Sequence, residues 1–154
     1  MGTDHIQLLL ADDDEDDCLF FKDALNELPV SATLTTVPDG EQLMELLTRT
    51  TAPLPDILFL DLNMPRKNGY ECLLEIRNSD ALKQLPVVIL STAFDRETAN
   101  RLYKNGATHC LRKPSSHSEL KALIQQALTL TVQKTRSPST KDDFVPDVDP
   151  IVIP

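Results

Sequence analysis

The chain has 154 residues, the length of about one domain, with enough apolar side chains for a substantial core. Its net charge of −9, the absence of Trp and the lack of a basic patch with interleaved aromatics argue against nucleic-acid binding, which rests on phosphate neutralisation. No apolar stretch approaches membrane-spanning length, and Met1-Gly2-Thr3-Asp4-His5 lacks the basic and apolar regions of a signal peptide, so a cytoplasmic protein with no membrane partner is expected. Gly2 does not open an acylation signal, because Ile6 stands where Ser or Thr is needed. Cys18, Cys72 and Cys110 are far apart and show no C-x-x-C spacing, so they are expected to be reduced and semi-buried.

The first element is Ile6–Ala11, a near-continuous apolar run that reads as a central strand buried on both faces. An acidic run follows over residues 12–17. Asp12 and Asp13, directly after a buried strand, are candidates for a site. Glu15, Asp16 and Asp17 read as a solvated helix start, where carboxylates complement the dipole. A helix over 14–28 carries Cys18, Phe21, Ala24, Leu25 and Leu28 on one stripe and ends at Pro29. Ala32–Val37, rich in Thr, reads as a strand nearer an edge. Asp39 and Gln42 have capping-box spacing ahead of a helix with Leu43, Leu46 and Leu47.

Pro53 and Pro55 mark the loop before Asp56–Asp61, a strand that closes on an acid just before a turn containing Pro65 and Gly69. A helix from about Asn68 to Asn78 shows Cys72, Leu73 and Ile76. Val87–Ser91 follows Pro86 as a strand, with Thr92 after it. A polar helix from about Asp95 to Asn105 stops at Gly106. Thr108–Arg112 is a short strand leading to Lys113-Pro114, and Ser116 with Glu119 forms a second capping box before the last helix. Residues 135–154 hold four prolines, which forbid a helix or a central strand, and read as an extended tail behind a domain of residues 1–134. The tail's apolar end, Ile151-Val152-Ile153, is a candidate for packing on the domain or adding to a sheet edge. Five strands alternating with five helices through short connections predict an α/β fold, a parallel sheet with helices on both faces.

In open α/β sheets ligands bind at the carboxyl edge. Asp12 and Asp13, Asp61, the pair Ser91 and Thr92, and Lys113 all fall at such strand ends. Carboxylates there can hold a hard divalent cation such as Mg²⁺ through Asp13, Asp61 and the main-chain carbonyl of Asn63, with Asp12 acting close by through water. A carboxylate can also act as nucleophile toward a phosphoryl group, giving an acyl phosphate. Lys113 supplies a point charge for phosphoryl oxygens, and Ser91 or Thr92 a hydroxyl donor. Each residue alone has a plain structural explanation: a helix cap, a turn, packing. All of them at successive strand ends, in this chain order, are hard to obtain by accident.

As a set, Ala11-Asp12-Asp13, Asp61-Leu62-Asn63-Met64-Pro65 with Gly69, Ser91, and Lys113-Pro114 make residues 5–130 resemble the receiver domain of two-component response regulators. The resemblance implies a flavodoxin-like, doubly wound five-stranded parallel sheet of order 2-1-3-4-5. It implies Asp61 as phosphoacceptor, Asp12 and Asp13 as the acidic pair around Mg²⁺, Ser91 as switch hydroxyl and Lys113 as phosphate-binding lysine. The implied partners are a histidine kinase or histidine phosphotransferase and a downstream protein. A homodimer through the helix 4–strand 5–helix 5 face is also implied. The bond before Pro114 would be cis, and the chain a switch with self-phosphorylation and self-dephosphorylation chemistry rather than an enzyme acting on other substrates.

Three departures follow. Ser91 and Thr92 point to opposite sides of their strand, and counting from Pro86 and Asp61 favours Ser91 for the hydroxyl. Cys110 stands where the family often has Tyr or Phe, which shifts the expected readout to the loop and helix over 92–105. No output domain follows, so a stand-alone receiver is expected, similar to chemotaxis-type and phytochrome-associated regulators. Two other classes compete. An aspartyl phosphohydrolase would use the Asp-x-Asp spacing of residues 12–14, and a pseudo-receiver would bind partners without phosphorylation.

Overall fold

Strand and helix alternate along the whole computed structural model, which describes residues 5–49, 54–92 and 94–136, with side chains through residue 131. The strands are β1 (Ile6–Ala11), β2 (Ala32–Val37), β3 (Ile57–Asp61), β4 (Val87–Ser91) and β5 (His109–Arg112). The helices are α1 (Glu15–Asn26), α2 (Gly40–Arg49), α3 (Gly69–Arg77), α4 (Arg96–Lys104) and α5 (His117–Arg136). The sheet is parallel throughout in the order β2-β1-β3-β4-β5, as the resemblance implies. Right-handed crossovers then put helices on both faces, with α1 packed beside α5 and α2 beside α3.

The apolar runs explain which strands lie inside. Every residue of β3 and β4 is buried, because both faces of a parallel sheet are covered. The Thr-rich β2 sits at an edge and alternates between half-buried and exposed positions along most of its length. Phe59 fills the centre and meets Phe21 of α1 edge to face, with ring centroids 4.9 Å apart. Burying side chains of this size contributes about 1.5–3 kcal/mol each, so the central strands anchor the fold.

Local signals set the helix ends. Asp14 caps α1 rather than opening it: its carboxylate accepts the N–H groups of Asp16 and Asp17. The helix stops at Asn26, short of residue 28, because Leu28 precedes Pro29 and is pushed out of helical geometry. Asp39 caps α2 through the Gln42 N–H at 2.8 Å, and Ser116 caps α5 through Glu119 at 3.2 Å. Gly106 takes φ +104° just past α4, a conformation glycine adopts freely. The helix α5 runs through Arg136, two residues into the segment read as tail. The readings of the tail beyond that point lie outside the described residues.

Candidate functional site

The topology itself opens a crevice. From β1 the chain crosses through α1 to β2 on one side, and from β2 through α2 to β3 on the other. The strand order therefore reverses between β1 and β3, and the connections at their carboxyl ends diverge. Asp12 is the first residue past β1, and Asp61 is the last of β3.

The backbone ladder extends just far enough to fix these residues. The Asp12 N–H donates to the Val37 carbonyl at 3.0 Å, and the Leu62 N–H to the Leu90 carbonyl at 2.8 Å. The Lys113 N–H donates to the Ser91 carbonyl at 2.8 Å, which seats the lysine one residue past β5. Gly69 lets the β3–α3 loop close tightly. A Cβ there would lie 2.6 Å from the Asp61 carbonyl oxygen, and the glycine N–H donates to the Leu62 carbonyl. Asn68 then starts α3 with a reciprocal capping box with Glu71, both bonds being 2.9 Å.

The side chains converge. Asp12, Asp13 and Asp61 each present a carboxylate oxygen within 4.8 Å of the others. Asp12 and Asp61 are buried while Asp13 is exposed, so the cluster has a closed floor and an open mouth. The Lys113 ammonium reaches Asp12 at 3.0 Å and Asp61 at 3.3 Å. One Asp61 oxygen also accepts the Asn63 N–H at 3.2 Å. Of the two hydroxyl candidates, Ser91 is only 1% exposed and its Oγ lies 3.5 Å from the Asn63 side-chain nitrogen. Thr92 is exposed and lines a hollow with Lys113, Pro114 and Glu119; alternation along a strand turns it away from the side that Ser91 faces.

Burial dominates the electrostatics. It pushes the Asp12 carboxyl up to about 6, against the Asp14 N–H and Lys113, and the Asp61 charge adds to the rise. Asp61 is raised for the same first reason, with Lys113 and the Asn63 N–H pulling the other way. Burial pushes Lys113 toward its neutral form, but bonds from Asp17 and Asp12 and the charge of Asp61 outweigh it and carry the lysine above its usual range. The site therefore holds more negative charge than its lysine balances. All its donors are hard oxygens, the chemistry that suits Mg²⁺ or Mn²⁺.

Some placements were not foreseen. Asp17, read as part of a solvated helix start, bonds Lys113 at 2.9 Å. Side chains in a helix lean toward its N-terminus, so an acid at the third position after the Asp14 cap leans back over residues 12 and 13. The Lys113–Pro114 bond is trans, not cis as the resemblance implied, and trans is the commoner form even before proline. Cys110 and Cys72 are fully buried rather than semi-buried, since each faces the packed core; Cys18 is half-buried. Burial pushes the Cys110 thiol up to about 12, which leaves no thiolate for redox chemistry near neutral pH. An aromatic does meet β5 at this point, but it comes from α4: the Tyr103 hydroxyl accepts the Cys110 N–H at 3.0 Å.

The fold and this edge are those of receiver domains. The family profile described as the response regulator receiver domain matches residues 8–125, and the chain belongs to that family. It is 31% identical over 123 residues to a probable chemotaxis protein CheY of Rhizobium etli, covering 80% of this chain and 92% of that protein. Among solved structures it resembles the Mn²⁺-bound form of response regulator Rcp1, at 28% identity and a TM-score of 0.71, over 79% of this chain and 90% of that one. It also resembles the phosphorylated cyanobacterial phytochrome response regulator RcpA, at 29% identity and a TM-score of 0.78, over 88% of this chain and all of that one.

Proposed function

We propose that this receiver is a phosphoacceptor switch. Asp61 takes a phosphoryl group from a histidine kinase or histidine phosphotransferase, and the phosphorylated chain signals by binding a downstream protein. The observation that carries the reading is the convergence of the Asp12, Asp13 and Asp61 oxygens within 4.8 Å, beside the Lys113 ammonium. The similarity to receivers whose structures are described as phosphorylated and as Mn²⁺-bound supports it.

In the step itself an Asp61 oxygen attacks phosphorus. The O–P bond forms as the P–N bond to the donor histidine breaks, and the imidazole nitrogen keeps the electron pair. Asp12, Asp13, Asp61 and the main-chain carbonyl of Asn63 would hold Mg²⁺, which when bound offsets the charge of the carboxylates and the phosphoryl oxygens. Lys113 binds a phosphoryl oxygen as a point charge, and Ser91 donates its hydroxyl to another. Asn63, exposed beside Asp61, lies near enough to influence the water that later hydrolyses the acyl phosphate.

The chain modifies itself rather than turning over a substrate. Asp14, the second acid of the Asp-x-Asp spacing, is engaged in capping α1, which weighs against a phosphohydrolase. A cytoplasmic setting belongs to the same reading; the three cysteines are free. A homodimer through the α4–β5–α5 face belongs to the same reading.

Acetyl phosphate with Mg²⁺ tests it. Intact-mass measurement should find one phosphoryl group on the native chain, removable by hydroxylamine, and none on Asp61→Asn. A native chain that stays unmodified would leave the pseudo-receiver reading in its place.

A further inference from the structure

The Lys113 ammonium has three N–H donors, and the resting protein gives it three carboxylate partners. Asp17 lies at 2.9 Å, Asp12 at 3.0 Å and Asp61 at 3.3 Å. The shortest contact is thus to the helix α1, not to the proposed phosphoacceptor. The three partners differ in exposure. The side chains of Asp12 and Asp61 are only 3% and 6% exposed, whereas that of Asp17 is 42% exposed.

We propose that Asp17 is a positioning residue that tethers Lys113 toward α1 in the resting protein and competes with the phosphoryl group for it. The inference rests on the phosphoacceptor reading above. A phosphoryl group on Asp61 adds acceptors where the ammonium has no spare donor. Esterification removes the Asp61 carboxylate charge, so that bond passes to the phosphoryl oxygens, and as the ammonium moves to them the further bond that yields is the one whose carboxylate is most cheaply returned to water. Breaking the buried Asp12 pair strands a charge in the interior, while Asp17 rehydrates where it stands. Phosphorylation therefore exchanges the Asp17–Lys113 bond for a phosphoryl–Lys113 bond and releases the first turn of α1 from β5. The tether sets the resting state apart and lowers the affinity of the site for a phosphoryl group.

The probe is beryllofluoride, titrated in saturating Mg²⁺ and followed by the bound fluorine resonance. The titration compares the native chain with Asp17→Asn, Asp17→Glu and Asp16→Asn. Asp16 carries the same charge one residue away, is exposed and does not touch Lys113. Asp17→Asn should bind about two- to five-fold more tightly, the range expected for losing one part-exposed ion pair. Asp16→Asn should stay within about 1.5-fold of native, since screening weakens a remote charge. Asp17→Glu keeps the charge and should return the native affinity. The tether is overturned if Asp17→Asn binds no more tightly than native, if Asp16→Asn matches it, or if Asp17→Glu behaves as Asp17→Asn. A native chain that binds no beryllofluoride overturns the phosphoacceptor reading instead.

Discussion

Replacing Asp12 by Asn should stabilise the metal-free protein. Asp12 is buried, and its carboxyl is pushed from an ordinary 3.8 up to about 6, first by burial and further by the charge of Asp61. The folded protein thus binds this proton more tightly than the unfolded chain does. The stability it contributes is complete below about pH 4 and is lost as the pH rises through about 6. The loss is on the order of 3 kcal/mol, at about 1.4 kcal/mol for each tenfold change in proton affinity. Asn mimics the protonated acid, and its side-chain oxygen can still accept the Asp14 N–H now held at 2.9 Å. At pH 7.5 with a chelator, urea unfolding should therefore show Asp12→Asn more stable by on the order of 3 kcal/mol, or about 6–12 °C in Tm. From pH 4 to 7 the native chain should lose stability while the variant changes much less. Added Mg²⁺ should stabilise the native chain more than the variant and narrow the gap. A variant less stable than native at pH 7.5, or one with the native pH slope, would refute the account of the site as electrostatically overloaded.

Lys113→Met leaves Asp12, Asp17 and Asp61 without their shared cation, so it should lower stability at pH 7.5 by about 2–4 kcal/mol, and acid should restore part of the loss; urea unfolding at pH 5 and 7.5 reads both. Asn68→Ala removes the side-chain oxygen that accepts the Glu71 N–H, one of the two bonds of the α3 capping box, and should cost about 1 kcal/mol by the same assay, without altering the pH slope. Tyr103→Phe removes the hydroxyl that accepts the Cys110 N–H and should cost about 1 kcal/mol, with faster amide hydrogen exchange at residue 110.

What could be read from the residues follows the range of the forces involved. The strands β1, β3 and β4 announced themselves because a two-sided parallel strand must be apolar along its whole length, and the crevice between β1 and β3 follows from chain order alone. That Asp12, Asp13, Asp61 and Lys113 would meet was legible because each follows directly from a strand end, where the sheet leaves the side chain little choice of place. The Asn68–Glu71 box was present as an N-x-x-E spacing and passed unread. Asp17 and Tyr103 were of another kind. Each acts across a gap between elements, Asp17 from α1 to Lys113 beyond β5 and Tyr103 from α4 to β5. Such contacts depend on how a helix is rotated over the sheet, and one acid among six in a row carries no mark of that rotation.

A parallel sheet with covered faces leaves its carboxyl edge as the place where chain ends and polar groups gather, and here that edge concentrates acids beyond what Lys113 neutralises. That site is held together by one lysine with every donor engaged. A change in charge at Asp61 therefore cannot stay local. It must redistribute the bonds of Lys113, and the partners of Lys113 sit at the ends of β1 and β3 and on α1 at once. A receiver needs that property: one added group, felt by several elements through a single shared cation.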